Sequence, residues 1–254
     1  VHWHNYLKND NFKIAVIDDL ADRNFNADII INQNNTPKYH KKYNLLIPKY
    51  CKKLLGQKYS LFRRDVVSAY KKILNSKKTQ AKKNSKIVVF MGAIDEDGLL
   101  LKLVKSKIFY KNKDLFYVLI GEGNTRKKEI IDFCEEYSIM YHLGIVNFDD
   151  LISDIHGAFI ACGMFAVELN LLNIPSVLVP LSNVQEDVAI QFAKDGNSLI
   201  LDKKNIDKAK EFKQGIDFIA NSNARKNVKK VNISSKVKFI DGPLLIFNVI
   251  NSYE

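Results

Sequence analysis

Residues 159–180 read FIACGMFAVELNLLNIPSVLVP, and this stretch decides the fold. Residues 159–161 are apolar and strand-like. Cys162-Gly163-Met164-Phe165 reads as a turn whose single glycine lets the backbone bend sharply. Residues 166–172 follow a helical pattern. Asn173 can close that helix in a left-handed cap, Pro175 stops it, and the β-branched run 176–179 reads as a buried parallel strand. Together these form one βαβ unit. A helix N-terminus beside a strand C-terminus offers free backbone N–H groups and partial positive charge, a natural phosphate site. Glu168 sits about one turn into the helix, where a carboxylate can face a ribose. Any α/β protein contains such units, so the flanking sequence has to decide what this one does.

Outward from that unit, strands alternate with helices. Residues 87–90 form an apolar strand ending at Met91-Gly92-Ala93, followed by Asp95, Asp97 and a helix over 99–107. Residues 116–120 form the next strand, ending in Gly121-Glu122-Gly123-Asn124. Helices are expected at 126–137, 148–155, 184–194 and 206–220, strands at 139–143 and 198–201, and a closing helix at 243–252 with Pro243 in its first turn. The alternation predicts a doubly wound parallel sheet.

The N-terminal part is less regular. Residues 12–17 (FKIAVI) read as a short buried strand ending in Asp18-Asp19, and residues 27–31 as a second strand. Residues 38–46 read as a polar loop, 45–48 as a brief extended piece, 52–57 as a turn at Gly56, and 66–74 as a helix. Residues 71–86 are rich in Lys, Asn, Ser and Gln and contain no acid, so they read as a basic linker. The expected organisation is the remainder of an N-terminal Rossmann-like domain over 1–70, the linker over 71–86, and a nucleotide-binding Rossmann-like domain with a closing helix over 87–254. The opening, Val-His-Trp-His running almost at once into a strand, reads like the middle of a domain.

The 254 residues are 46% hydrophobic, enough for real cores. Three cysteines (Cys51, Cys134, Cys162) without paired spacing argue against a disulfide framework and a zinc site, making a reducing cytoplasm the default. No apolar run reaches membrane-spanning length. The net charge of +11 invites a nucleic-acid reading. The lysines are spread over helix faces and the linker, not interleaved with aromatics in one stripe, so no nucleic-acid partner is expected.

Three glycine-bearing turns fall at strand C-termini: Gly92-Ala93, Gly121 to Asn124, and Cys162 to Phe165. None completes GxGxxG and no Walker lysine motif is present, which sets aside dehydrogenases and P-loop NTPases. Gln185, after the strand 176–179, can hydrogen-bond a base, ribose or sugar, or simply start a helix. Asp18 and Asp19 can act as acid, base or sugar-hydroxyl acceptor, or form a turn pair. His2 and His4 share a face only on a strand. No G-x-S-x-G elbow is present.

Several segments in order resemble a known family. IDDLADRNFNADIIINQN (17–34), LLGQKYSLFRRDV (54–66), VVFMGAIDEDGLLLKLV, VLIGEGN, IACGMFAVELNLLNIPSVLVPLSNVQ and IDGPLLIFNVI are similar to the PseG-like UDP-2,4-diacetamido-2,4,6-trideoxy-β-L-altropyranose hydrolases of pseudaminic acid biosynthesis and their surface-polysaccharide relatives. The resemblance implies a GT-B architecture, two Rossmann-like domains with the first only partly present here, shared with the lipid II-forming N-acetylglucosamine transferase. It implies that Glu168 meets the ribose of UDP, that Gly92 and Cys162, Gly163, Met164 and Phe165 meet the diphosphate, with Gly121 and Asn124 in the neighbouring turn, and that Gln185 lies near the sugar. It implies metal-independent, cofactor-free cleavage between the anomeric carbon and UDP by water. The family's glycine-rich loop and catalytic His have no counterpart in this sequence. Asp18 and Asp19 remain as candidate catalytic acids, and activity is expected to need a segment from a longer chain or a separate polypeptide. A GT-B glycosyltransferase and a non-catalytic nucleotide-sugar-binding protein are the alternatives.

Overall fold

The computed structural model describes residues 2–9, 12–34, 36–75, 85–144, 146–194, 196–221 and 240–252. The chain divides into two compact units, one running to Phe62 and taking in the C-terminal helix, the other starting at Arg63. The closing helix, expected with the second domain, groups with the first unit.

The first unit contains α1 (His2–Asn9), β1 (Ala15–Ile17), β2 (Ile29–Asn32), α2 (Pro37–Leu46) and β3 (Lys52–Leu55). Its three described strands are parallel in the order β1-β2-β3. Four expectations are corrected here. The stretch expected as a polar loop over 38–46 is helix α2, entered through Pro37 and seated by Tyr39 and Tyr43, four apart and both buried. The extended piece expected at 45–48 overlaps the end of that helix, with Ile47 capping it. Residues 52–55, expected as part of a turn, pair with β2 as β3. The strand expected over 12–17 narrows to Ala15–Ile17 and is not buried, with Ile17 61% exposed. His2 and His4 lie on helix α1, so their two-residue spacing puts them on different faces; His4 Nδ1 accepts the Asn26 N–H at 3.3 Å. The C-terminal helix (Gly242–Asn251) presses Ile246 onto Ile29, Ile31 and Leu54 of the sheet.

The second unit opens with α3 (Arg64–Asn75) and continues through β4 (Lys86–Phe90), α4 (Leu99–Val104), α5 (Lys107–Lys111), β5 (Phe116–Ile120), α6 (Lys127–Glu136), β6 (Tyr141–Leu143), α7 (Phe148–Asp154), β7 (Ile155–Ala161), α8 (Met164–Leu171), β8 (Ser176–Val179), α9 (Asn183–Lys194), β9 (Ser198–Ile200) and α10 (Ala209–Asn221). The C-terminal helix is then α11. The linker expected over 71–86 is ordered at both ends, in α3 and β4; residues 76–84 of it lie outside the described residues. The helix expected over 99–107 breaks in two because Ser106 caps a new helix, its Oγ accepting the Phe109 N–H at 3.2 Å. Met164 and Phe165, expected in a turn, form the first turn of α8 behind Gly163. Asn173 closes that helix at φ 57°, the left-handed cap expected of it.

The six strands described in this unit are parallel, in the order β6-β5-β4-β7-β8-β9. That is the doubly wound Rossmann order, whose switch point lies between β4 and β7. The core is aromatic: Phe159 of β7, Phe116 of β5, Phe109 of α5 and Phe212 of α10 stack with centroids 4.5 to 6.2 Å apart. Among the described residues no helix is long and apolar enough to cross a membrane.

Candidate functional site

The loops after β4, β5 and β6, together with α8, which follows β7, line a pocket of about 320 Å³. Its position at the switch point follows from the strand order, because the chain leaves β4 toward one face and β7 toward the other and so parts the loops. Phe90, Ala93, Gly121, Phe165, Glu168 and Arg63 line it.

Each wall has a local cause. After β4, Gly92 adopts φ 102°, a conformation that favours glycine, and a side chain there would point into open space. Asp95 then turns the loop into α4, its two carboxylate oxygens accepting the N–H groups of Leu99 (2.9 Å) and Leu100 (3.0 Å). After β5, Gly121 lies so close to the β4 loop that a Cβ would stand 2.1 Å from the Ala93 carbonyl oxygen. Asn124 ties the two loops together. Its Nδ2 donates to Asp95 at 3.3 Å and its Oδ1 accepts the Arg126 N–H at 2.8 Å, so the buried amide is occupied by protein partners.

After β7 come Cys162 and Gly163. Cys162 is buried, and burial pushes its thiol up to about 12, which keeps it neutral. Gly163 precedes α8 with open space where a side chain would stand. Phe165 packs between Phe90 and Phe148, 5.4 Å from each ring centroid, which holds its bulk against the pocket wall.

Glu168 is 5% exposed. Its Oε1 accepts the Nε–H of Arg63 at 3.3 Å. Arg63 also donates to the Val146 carbonyl at 3.4 Å, lies 4.9 Å from the Phe148 ring centroid, and has Asp65 at 3.7 Å. Burial is the largest influence on Glu168 and carries its carboxyl up to about 7, against the opposing pull of Arg63. The pocket therefore offers a carboxyl poised near neutrality, a guanidinium and aromatic walls. Such a set suits a ligand with a flat apolar part, hydroxyl donors and negative charge.

Of the residues named from sequence, the pocket brings together Gly121, Phe165 and Glu168. Gly92, Asn124, Cys162, Gly163 and Met164 sit in the same rim of loops without lining it. Gln185 lies in the first turn of α9 after β8, where its Oε1 accepts the Leu181 N–H at 2.9 Å. Arg63 was not singled out from sequence. Its partner Glu168 is 105 positions away, and only the folded chain reveals the pair.

Asp18 and Asp19 belong to the first unit. Asp18 is buried, and its carboxylate accepts the Ala21 N–H (2.9 Å) and the Tyr43 hydroxyl (2.6 Å), with Arg23 at 3.4 Å. Tyr43 in turn accepts the Asn32 amide at 3.1 Å. This network fixes the ends of β1 and β2 and occupies Asp18. Asp19 is exposed, and partial desolvation, with the Asp18 charge beside it, raises its carboxyl.

No family model matches the chain, and no curated protein matches it. Solved structures do. The glycosyltransferase of kitacinnamycin superposes with a TM-score of 0.50 at 10% identity, over 86% of this chain and 54% of that one. MurG of Acinetobacter baumannii superposes with a TM-score of 0.50 at 14% identity, over 89% of this chain and 74% of that one. The chain thus spans about half the length of the first. At these identities the likeness establishes the fold alone: an α/β fold of the GT-B kind, built on Rossmann-like parallel sheets.

Proposed function

We propose that the second unit binds a UDP-linked sugar and that the protein works as a GT-B glycosyltransferase, passing the sugar to an acceptor. The observation that carries this is the buried Glu168 with Arg63 in a pocket at the switch point of a Rossmann-ordered sheet. In this reading Glu168 accepts the ribose hydroxyls. The backbone around Gly92 and Gly163 and the N-terminal N–H groups of α8, from Met164 and Phe165, receive the diphosphate, where open space lies over both glycines. Cleavage breaks the bond between the anomeric carbon and the phosphate oxygen. The electron pair leaves with UDP, and the gathered N–H dipoles and Arg63 stabilise the developing charge without a metal.

A second reading has water as the acceptor, with the protein a PseG-like hydrolase of a UDP-2,4-diacetamido-2,4,6-trideoxy sugar. The ordered run of similar segments from Ile17 to the final helix favours it. One assay separates the two. UDP release from UDP-sugars is followed with and without candidate acceptors. Release that depends on an acceptor supports transfer, release in water alone supports hydrolysis, and UDP binding without turnover reduces the protein to a nucleotide-sugar binder.

A further inference from the structure

The pocket at the switch point is short of positive charge. Among its described lining residues Arg63 is the one cation, against two carboxyls, Glu122 and Glu168. Asp65, the second residue of α3, also reaches that cation, 3.7 Å from it. Among the described residues, Arg63 and Asp65 are the charges that act on Glu168. The charged groups on neighbouring elements are engaged elsewhere. Lys127 of α6 donates to the Glu122 carbonyl at 2.8 Å and does not line the pocket. Asp95 after β4 accepts from Leu99, Leu100 and Asn124, and Asp149 of α7 faces Ser68 and Lys72. Glu168 is the only titratable side chain on α8.

Arg63 is held loosely for the partner of a buried carboxyl. Its Nε–H reaches Glu168 at 3.3 Å, one Nη reaches the Val146 carbonyl at 3.4 Å and the other Asp65 at 3.7 Å, all long contacts. Its side chain is 36% exposed, where that of Glu168 is 6% exposed. The described polar contacts of Glu168 run through Oε1 alone. A diphosphate offers a guanidinium shorter, paired bonds and more charge than this single carboxylate oxygen does. One cation cannot neutralise both anions, so the buried one, Glu168, loses its partner. Taking up a proton then costs less than keeping an unpaired buried charge. Burial already carries the carboxyl up to about 7 with Arg63 in place.

We infer that a nucleotide diphosphate bound here draws Arg63 away from Glu168 and that Glu168 takes a proton from solvent, so that ligand and proton enter the pocket together. This rests on the reading of the pocket as a nucleotide-sugar site and adds a condition to it. The neutral carboxyl, its carbonyl oxygen still accepting from a ribose hydroxyl, is the form that binds. Affinity then follows the protonated fraction of the free protein. With the carboxyl at about 7, that fraction drops from about one half at pH 7 to about one tenth at pH 8. The dissociation constant therefore rises about fivefold over that unit and is flat below about pH 6.

Titration calorimetry of the full chain with UDP-N-acetylglucosamine tests this, because both phosphates of that probe are diesters and do not titrate near neutrality. At pH 8 the heats in HEPES and in Tris differ by the protons drawn from the buffer. The expected result is an uptake of at least about half a proton per ligand, together with the loss of affinity of about fivefold from pH 7 to pH 8. Neither effect is expected in Glu168→Gln, whose side chain is neutral throughout. UDP is the second probe, its own titration cancelling in the difference between wild type and variant. Binding without proton uptake, binding with proton release, or the same uptake in Glu168→Gln overturns the inference and leaves the nucleotide reading standing. Binding of neither probe overturns both.

Discussion

Replacing Glu168 by Gln tests the electrostatics of the pocket with little change of shape. Folding lifts the carboxyl from its ordinary 4.5 to about 7, mostly through burial. Between those values the folded protein holds a proton that the unfolded chain releases. The stabilisation from the neutral carboxyl is fully present below pH 4.5 and is lost as pH rises through 7. At about 1.4 kcal/mol per pH unit, the shift sets a ceiling of about 3 kcal/mol on that loss. Glutamine keeps an oxygen to accept from Arg63 and carries no charge at any pH. Wild type and Glu168→Gln should therefore match near pH 4.5 and diverge until, above pH 7, the variant is more stable by about 1–3 kcal/mol. The single tryptophan, Trp3, lies in the first unit and does not report on this site. Amide hydrogen exchange of β7 and α8 across the pH range is the suitable assay. Parallel pH profiles for the two proteins would refute the assignment of a buried, upward-shifted carboxyl to Glu168.

Further outcomes follow from the same contacts. Arg63→Ala strips Glu168 of its guanidinium and should cost about 1–2 kcal/mol by denaturant unfolding, the modest value reflecting an arginine that is partly exposed. Gly121→Ala forces a Cβ against the Ala93 carbonyl and should destabilise the second unit by about 2–3 kcal/mol, with loss of ligand binding. Asp95→Ala removes the acceptor for two α4 N–H groups and for Asn124, and thermal unfolding should show a loss of about 1–3 kcal/mol.

The second unit was largely legible because its strands are apolar runs bounded by glycine turns. Residues 116–120 and 176–179 match β5 and β8 end to end. The first unit was harder to read. α2 hides its buried stripe in two tyrosines among lysines, and Lys52-Lys53-Leu54-Leu55 shows no alternation, so only pairing with β2 makes it a strand. The attachment of α11 to the first unit rests on Ile246 meeting Ile29 and Leu54, contacts between opposite ends of the chain that no local pattern encodes. Within the site, Glu168 was legible because a helix after a glycine turn fixes where its second turn points. Arg63 was not, because its significance lies in a partner distant in sequence. Gln185 reads from sequence either as a ligand contact or as a helix start, and the resemblance places Asn124 in the turn beside the UDP site; in the structure both amides also help to hold their loops.

The most direct test is titration calorimetry of UDP against the wild-type chain and Glu168→Ala, with the fold of each verified by circular dichroism. The account predicts that UDP binds the wild type and that the variant, still folded, loses at least tenfold in affinity. Absence of UDP binding to the wild type, or equal affinity in the two proteins, would contradict it.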